Sequence, residues 1–353
     1  MIEGIYKWWK EIDKVNFLII LSIITIGIIL SFSISNNFTF FNKHLLYSFA
    51  SIFVMIFISS MDIKLLRRFS LIGLIVFTIL LIVILFMDFQ IKGSKRWLII
   101  FGLSIQPSEF IKPFFLLLSA WFLAQGLEGR KSYLTILFVA FFILASLIYL
   151  QPDFGMTFLF AASFFCQLFI AGLSIILVIV AFLMLIILSI TSYFFIDHVQ
   201  KRINTFFDPS ADTYQIDLSL KAFKSGGLFG KGPAQGVLKE KIPDASTDFI
   251  FAVAGEELGL IFCSLIIILI LLLIIRFLLQ LLKFKDPYII IAIVGLISSY
   301  GLQSLINIFS SLELIPTKGM TLPFISYGGS SMISTSILFG FLLSLTKQNN
   351  EKK

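Results

Sequence analysis

Charged side chains are scarce in this sequence, where Asp, Glu, Lys and Arg together make up 13% of 353 residues. Hydrophobic residues make up 58%, and the mean hydropathy is +1.02. So few polar groups could not cover a surface that faces water, which excludes a soluble globular protein. Lipid must therefore surround most of the chain. The net charge of +7 is small for this length, and Lys and Arg here report topology rather than nucleic-acid binding.

Cysteine and histidine are almost absent, with two residues of each. Cys166 and Cys263 both lie inside apolar runs, so they predict neither a disulfide framework nor a cysteine-ligated metal cluster. His44 and His198 are the only histidines, which argues against zinc chemistry and against catalysis by histidine.

Apolar runs long enough to cross a bilayer dominate the rest of the chain. A spanning helix needs about 20 apolar residues. The windows that qualify are 15–35, 44–60, 69–88, 109–126, 133–150, 154–172, 174–196, 250–275, 288–310 and 322–345. We therefore predict an all-α integral membrane protein of about ten transmembrane helices. Residues 1–353 form one polytopic domain, with a large loop, 197–249, between helices seven and eight.

Lysine and arginine predict the orientation, because short cytoplasmic loops retain positive charge. With the amino terminus inside, the inner segments hold fourteen Lys and Arg, and the short outer segments hold six. Both termini are therefore predicted to be cytoplasmic, and loop 197–249 extracytoplasmic. In that loop Ile216, Leu220 and Phe223 recur at helical spacing, which predicts a short helix on the membrane surface. We interpret the glycine-rich stretch after it as a flexible linker rather than a phosphate cradle.

Polar residues near the span ends gather on the predicted outer side, and ionisable groups at membrane depth tend to mark function. The first of four clusters contains Lys95, Arg96, Gln106, Glu109 and Lys112. Arg96 could grip a pyrophosphate bidentately, and Lys95 could hold it as a point charge. The alternative is an interfacial anchor in which Glu109 pairs with Lys112 three residues later.

The second and third clusters each place a carboxylate beside the start of a predicted span. In Gln151-Pro-Asp-Phe-Gly155, Asp153 is interpreted chiefly as the N-cap of the next helix. Asp248 precedes the eighth span, where helical spacing puts small residues below it on one stripe and predicts a groove. Capping of the helix is again the alternative. Glu256 and Glu257 lie about 12 Å deeper, so at least one of them should be paired or protonated.

The fourth cluster, Pro316 to Ser331, departs most strongly from a plain span. Pro323 and the adjacent Gly328 and Gly329 stand beside Ser326, Tyr327 and Ser330. They predict a broken helix, which a membrane tolerates only where the backbone is buried in protein or lines a wet cavity.

Together these motifs resemble the SEDS family (shape, elongation, division and sporulation) over nearly the whole chain. The resemblance rests on Lys-Arg-Trp at 95–97, Gln-Pro-Ser-Glu-Phe-Ile-Lys at 106–112, Gln-Pro-Asp-Phe-Gly at 151–155, Thr-Asp-Phe-Ile-Phe at 247–251, Gly-Glu-Glu-Leu-Gly at 255–259 and Leu-Pro-Phe-Ile-Ser-Tyr-Gly-Gly-Ser-Ser at 322–331. Segment 316–324 is more similar to the division branch, FtsW, than to the elongation branch, RodA.

The resemblance implies a peptidoglycan glycosyltransferase that polymerises lipid II, with an essential carboxylate in the Thr-Asp-Phe motif. In-line displacement of the pyrophosphate predicts inversion at the anomeric carbon. On this chain that carboxylate is Asp248, the candidate base. Ser246 stands where many relatives have histidine, so a proton-relay role for that neighbour is in doubt. The candidates for binding substrate are Lys318, Lys95, Arg96, Gln106, Glu109, Lys112, Gln151, Asp153, Ser326, Tyr327, Gly328, Gly329 and Ser330.

Partners and cofactors follow from the same resemblance and from the chemistry. The resemblance implies a class B penicillin-binding transpeptidase as working partner, among other membrane proteins of the division complex. Lys318, Lys95 and Arg96 would hold the departing pyrophosphate. A divalent cation such as Mg²⁺ or Mn²⁺ could share that task through oxygen ligands, although no dedicated metal site is recognisable.

Three other functions remain open at this point. A flippase would carry lipid II across the membrane through the broken tenth helix and midplane polar groups. A scaffold would recruit division proteins while catalysis happened elsewhere. An elongation-type, RodA-like polymerase would perform the same chemistry. Against the flippase, the polar clusters crowd one face, and we recognise no inverted repeat.

Overall fold

The computed structural model describes residues 2–34, 38–87, 96–100, 103–172, 214–316 and 319–347, with isolated positions between 173 and 213. Lys95, Lys318 and most of the predicted seventh span, 174–196, lie outside the described residues. The first part of the predicted loop 197–249 lies outside them as well.

Helices make up most of the described chain, because in a bilayer each backbone polar group must find its partner within the same segment. The first half forms α1 Ile2–Glu11, α2 Lys14–Ile34, α3 Phe38–Ser60, α4 Ile63–Phe86, α5 Pro107–Leu127, α6 Lys131–Tyr149 and α7 Phe154–Ile170. The second half forms α8 Tyr214–Gly226, α9 Ile250–Gln280, α10 Pro287–Ser311 and α11 Gly329–Leu345, with short 3₁₀ turns at Leu238–Glu240 and Leu281–Lys283.

Seven of the described helices are long and apolar enough to cross a membrane, namely α2, α3, α4, α5, α6, α9 and α10. Two shorter apolar helices, α7 and α11, accompany them. Nine of the ten predicted windows therefore coincide with an apolar helix, which confirms the helical membrane class.

A small hairpin departs from the all-α prediction. Its strands, β1 Leu98–Ile100 and β2 Leu103–Ile105, pair antiparallel with Leu98 opposite Ile105. Pro107 then starts α5 at the first helical position, where its missing N–H costs nothing. The hairpin thus delivers Gln106 to the start of α5.

The central helices carry the polar residues, and the outer ones face lipid. The spanning windows of α5 and α10 are 72% buried, whereas those of α4 and α6 are only 22% buried. Gln167 of α7 holds the centre together, since its side-chain amide donates to the carbonyls of Leu116 (2.7 Å) and Ile291 (3.2 Å). Buried polar contacts of this kind connect α5, α7 and α10 without a charge.

The predicted loop helix is present as α8, but it does not merely lie on a surface. Ile216, Leu218 and Ala222 are buried, and the last two pack against the start of α9. The glycine-rich stretch that follows is also well packed. Gly230 passes so close to α9 that a Cβ atom there would lie 2.2 Å from the carbonyl oxygen of Glu257. The interpretation of this stretch as a flexible linker is therefore wrong.

The same stretch neutralises Glu256 on α9, which the sequence placed deep in the membrane. The Glu256 carboxylate accepts main-chain N–H groups from Val237 (3.0 Å), Leu238 (3.1 Å) and Lys239 (3.2 Å). It also accepts a hydrogen bond from the ammonium of Lys231 at 3.2 Å. The glycine-rich loop thus surrounds a carboxylate of the protein itself.

Glu257 is neutralised by a second buried contact set. Its carboxylate lies 2.7 Å from Lys239 Nζ and accepts a hydrogen bond from Ser33 at the end of α2. Lys239 in turn donates to the main-chain carbonyl of Ser33 at 2.7 Å. The prediction that at least one of these glutamates is paired or protonated is confirmed, and their partners join α2, the loop and α9.

Candidate functional site

Asp248 lies in a tight turn, residues 244–249, directly before α9. The turn forms because the main-chain carbonyl of Asp244 accepts the N–H groups of Thr247 and Asp248, both at 3.0 Å. Phe249, not Asp248, occupies the N-cap position of α9. Asp248 thus precedes the N-cap position of α9 by one residue.

Three consecutive carbonyls of this turn are held by donors from distant parts of the chain. The Ser246 carbonyl accepts the N–H of Tyr327 at 2.8 Å, and the Thr247 carbonyl accepts the Ser326 hydroxyl at 2.5 Å. The Asp248 carbonyl accepts the side-chain amide of Asn307 at 2.9 Å. The backbone that carries Asp248 is thereby fixed on three successive residues.

The segment that provides two of these donors is residues 319–328, which is not helical. Its backbone is anchored by Ser326, whose hydroxyl accepts the N–H of Leu322 at 2.7 Å. Asn307 also donates to the Met320 carbonyl at 2.6 Å, so one amide joins this segment to the Asp248 turn. The predicted interruption is confirmed. The helix of the predicted tenth span, α11, begins at Gly329 rather than near 322.

The Asp248 carboxylate lies next to the backbone of Gly319. A Cβ atom at Gly319 would stand 3.4 Å from Asp248 Oδ2, and Gly319 has a φ of +61°, which favours glycine. Lys318, which directly precedes it, lies outside the described residues. The two motifs that contain Asp248 and Lys318 are therefore neighbours in space.

Tyr327 and Gly329 contact α3. The Tyr327 ring centroid lies 4.2 Å from that of Phe40 and 6.1 Å from that of Tyr47. A Cβ atom at Gly329 would lie 2.8 Å from the Tyr47 ring. Both residues thus dock the start of α11 against α3. A Cβ atom at Gly328, in contrast, would make only ordinary van der Waals contacts.

The start of α5 is joined to the starts of α7 and α11. The main-chain N–H of Gln106 donates to the Ser330 hydroxyl at 3.0 Å, and Ser330 donates to the Ser104 carbonyl at 2.9 Å. The side-chain amide of Gln106 donates to Asp153 at 3.1 Å. The hairpin and three helix starts therefore form one connected structure.

Asp153 has the capping role that the sequence predicted, since it accepts the N–H of Met156 at 3.2 Å. It also lies 3.5 Å from the guanidinium of Arg96. Arg96 donates further to the carbonyls of Gln151, at 3.2 Å, and Pro152. Arg96 is thus a structural residue of the 151–153 turn, whatever it also binds. Gln151 extends away from it to the Leu81 carbonyl of α4.

Glu109 and Lys112 form the predicted pair, but it is buried rather than interfacial. Lys112 Nζ lies 2.7 Å from Glu109 Oε2 and 2.6 Å from the side-chain oxygen of Gln303. Gln303 donates to the Thr321 carbonyl at 3.2 Å, and the Thr321 hydroxyl is 2.6 Å from that of Ser331. This chain of contacts connects α5 and α10 to the irregular segment.

Asn307 and Gln303 were not among the predicted site residues, because the apolar composition of α10 predicted an ordinary membrane span. The available signal was a stripe of polar residues, Gln303, Ser304 and Asn307, within one turn of an otherwise apolar helix. Side chains of this kind in a span usually face the bundle interior.

The contacts above bring the four predicted polar clusters to one end of the bundle. The amino-terminal ends of α5, α7, α9 and α11 all point there, and helix starts favour negative charge because of their exposed N–H groups. Among the described residues no three His, Cys, Asp or Glu side chains converge on a point. The arrangement provides a carboxylate beside an anion-attracting region.

These features define a polytopic helical membrane protein with a polar site at one end of its bundle, built from helix starts and a buried irregular segment. The family follows from sequence comparison. The chain belongs to the cell cycle protein family of FtsW, RodA and SpoVE, whose model matches residues 11–351.

Relatives within this family align over nearly their full length. One is the probable peptidoglycan glycosyltransferase FtsW of Caulobacter vibrioides (strain NA1000 / CB15N), with 36% identity over 97% of this chain and 90% of that protein. Another is stage V sporulation protein E of Bacillus subtilis (strain 168), with 33% identity over 95% of this chain and 97% of that protein. These names confirm the predicted family and class of enzyme.

Solved structures share the fold. One chain comes from a study of the structural coordination of polymerization and crosslinking by a peptidoglycan synthase complex. It matches with a TM-score of 0.80 and 23% identity over 95% of this chain and 97% of that one. The rod shape determining protein RodA of Thermus thermophilus matches with a TM-score of 0.72 and 22% identity, over 96% and 97% of the two chains.

Proposed function

We propose that this protein is a peptidoglycan glycosyltransferase that polymerises lipid II into glycan strands, and that it does so in septal wall synthesis. The name FtsW on its relatives supports the division role. The observation that carries the proposal is the position of Asp248, a partly exposed carboxylate whose backbone is held at three successive carbonyls.

The reaction joins two sugars through one new bond. The oxygen of a 4-hydroxyl attacks the anomeric carbon of another sugar, and the bond from that carbon to undecaprenyl pyrophosphate breaks. Asp248 accepts the hydroxyl proton, a step usually worth about 10²–10⁴ in rate. Attack opposite the leaving group inverts the anomeric carbon.

The leaving pyrophosphate requires positive charge where its own charge develops. Lys318 is the leading candidate, because it adjoins Gly319, which lies against the Asp248 carboxylate. Arg96 has five N–H donors, so some remain for phosphate beyond those that hold turn 151–153. Lys95, the residue before it, is a further candidate. The converging helix starts add to this field.

The remaining candidates divide by what they contact. The helix starts around the site are joined by Gln106, Ser330 and Ser326. The buried Glu109–Lys112 pair lies next to them, in the first turns of α5. We assign these residues to shaping the substrate site. Tyr327, Gly328 and Gly329 form the corner at which the irregular segment becomes α11.

A divalent cation would find few protein ligands at this site. Mg²⁺ is often held by one or two carboxylates together with substrate phosphates. The described residues offer Asp248 and no cage of three carboxylates or histidines. Mg²⁺ or Mn²⁺ would therefore depend on pyrophosphate oxygens for most of its ligands.

The orientation proposed from Lys and Arg places both termini in the cytoplasm and Asp248 at the outer face of the cytoplasmic membrane. Lipid II would then reach the site sideways, with its acyl chain between helices and its sugars outside. A class B penicillin-binding transpeptidase would cross-link the product. The structural neighbour from a peptidoglycan synthase complex supports such a partner, and further division-complex membrane proteins would accompany it.

Purified protein in detergent, given labelled lipid II, separates the candidate functions. A polymerase makes long glycan strands even when there is no membrane to cross, whereas a flippase or a scaffold makes none. Strands from the purified chain are the expected result. Lipid II recovered unchanged, from protein shown to be folded and to bind it, would contradict the proposal. An elongation-type polymerase would give the same strands but would act along the side wall.

A further inference from the structure

A cavity of about 270 Å³ lies at the end of the bundle opposite Asp248, and the proposed reaction does not use it. It is formed where α1 meets α2 and where α9 ends, beyond the break in that helix at Gly259 and about thirty residues from its start. Its walls include four basic side chains, Lys10, Lys14, Arg276 and Lys283.

Arg276 is already neutralised inside this cavity. Its guanidinium contacts both carboxylate oxygens of Asp13, at 3.0 and 3.1 Å, and donates to the Asn16 side chain at 2.8 Å. Asp13 also accepts the Asn16 main-chain N–H at 2.9 Å and the side-chain amide of Gln280. The Asp13–Arg276 pair therefore adds no net charge, and three lysines give the cavity its positive sign.

Two of these lysines rest on aromatic rings. Lys10 Nζ lies 4.4 Å from the ring centroid of Tyr6, and Lys14 Nζ lies 5.7 Å from that of Trp9. An ammonium has three donors, and a ring face beneath it still leaves hydrogens directed elsewhere. Lys10, Lys14 and Lys283 are all exposed, so an anion could reach them.

The surroundings of the cavity are those of a membrane interface. Tyr6 and Trp9 are 61% and 38% exposed, and the large apolar side chains Val15 and Leu282 are 47% and 86% exposed. Trp8 fixes α1 in place, because its indole N–H donates to the Ser59 hydroxyl at 2.8 Å. A helix with exposed Trp, Tyr and Lys, docked across the ends of spans, is typical of the headgroup layer.

We infer that this basic cavity binds the headgroup phosphate of an anionic phospholipid, held by Lys10, Lys14 and Lys283. The acyl chains would lie against Val15 and Leu282, which a soluble anion or an acidic peptide would leave exposed to water. In the orientation proposed above, the lipid comes from the inner leaflet, where anionic lipids attract basic segments. The site lies apart from the polymerisation chemistry.

Native mass spectrometry of the full chain in detergent tests this inference, with phosphatidylglycerol, phosphatidylcholine, inorganic phosphate and a polyglutamate peptide as separate probes. The test variant is K10Q/K14Q/K283Q. The matched control, K64Q/R68Q/K131Q, removes the same charge from exposed residues outside the cavity. The test variant should bind phosphatidylglycerol at least about tenfold more weakly, since each lysine near an anionic lipid surface contributes about a factor of five.

The control and the variant K10R/K14R/K283R should bind phosphatidylglycerol as the parent does, because the arginines keep all three charges. Equal affinity of the parent and the glutamine variant would overturn the inference, as would loss of binding in the arginine variant. Phosphatidylcholine bound as tightly as phosphatidylglycerol would also overturn it. Inorganic phosphate that displaces the lipid at similar concentration would assign the cavity to soluble anions. An acidic peptide bound more tightly than the lipid would assign it to a protein partner.

Discussion

Asn307 joins α10 to the backbone of Asp248 through a hydrogen bond of 2.9 Å, from its side-chain amide to the Asp248 carbonyl. The second hydrogen of the same amide binds the Met320 carbonyl at 2.6 Å. A single buried side chain thus sets how far the proposed base stands from the segment that begins at Gly319. Substrate chemistry depends on such spacing, because a misplacement of about 1 Å can cost about 10² in rate.

Replacing Asn307 should therefore slow polymerisation without removing any group that touches substrate. In N307A two carbonyls lose their donor, at a cost of about 1–3 kcal/mol each when they stay buried. We expect a rate at least about tenfold lower, measured as strand formation from labelled lipid II. Ser304→Ala is the control, because the Ser304 hydroxyl donates to the Tyr300 carbonyl within its own helix. A parental rate in folded N307A would show that this link does not position Asp248.

The buried Lys239–Glu257 pair should dominate the stability of the α8–α9 region. Removing one partner leaves an uncompensated charge, which usually costs about 3–5 kcal/mol. Lys239→Met is expected to lower the apparent melting temperature in detergent by many degrees. Lys241→Met, two residues away and exposed, should leave it nearly unchanged. Similar melting of the two variants would mean that the pair contributes little.

Gly259 should tolerate no side chain. Its φ of 78° and ψ of 179° belong to a region that only glycine adopts readily, and a Cβ atom would lie 2.3 Å from the main-chain nitrogen of Gly230. Gly259→Ala is expected to yield little folded protein. Gly172→Ala separates backbone strain from steric clash, because Gly172 has a φ of 79° but open space around it. That variant should lose only about 1–3 kcal/mol. Equal yields of folded Gly259→Ala and Gly172→Ala protein would contradict the claim that the close approach of Gly230 excludes a side chain at Gly259.

Arg96 should not be replaceable by lysine. The guanidinium holds the carbonyls of Gln151 and Pro152 and pairs with Asp153, whereas an ammonium is a point charge without that fork. R96K is expected to lower both the melting temperature and the rate of polymerisation. A lower rate with unchanged melting would mean that Arg96 serves the pyrophosphate alone. Arg68→Lys, at an exposed position, is the control.

Local sequence features were enough to predict most of the fold. Long Ile, Leu and Phe runs predicted the spans, Asp153 predicted the start of α7, and Pro323 predicted the interruption before α11. The hairpin at 98–105 was missed, because apolar runs of three residues are too short to distinguish a strand from a loop.

Candidate residues for the site could be named from the sequence, but their arrangement could not. The sequence predicted that at least one of Glu256 and Glu257 is paired or protonated. Nothing local could select Lys239 and Ser33 for Glu257, and Ser33 is 224 residues away from it. Likewise, the bond from Tyr327 to the Ser246 carbonyl depends on how α9 and α11 pack. Contacts of this kind are decided by tertiary structure. The polar stripe on α10 was visible in the sequence, but the partners of Asn307 and Gln303 were not.

The most direct measurement is strand formation by D248N, purified, shown to be folded by its melting temperature, and given labelled lipid II. An amide keeps the shape of the carboxylate but cannot accept the hydroxyl proton, so we expect at least about a 10²-fold loss of rate with lipid II binding retained. Glu128→Gln, a carboxylate-to-amide change at an exposed residue just after the far end of α5, should polymerise like the parent. Polymerisation by folded D248N at the parental rate would contradict the assignment of Asp248 as the base.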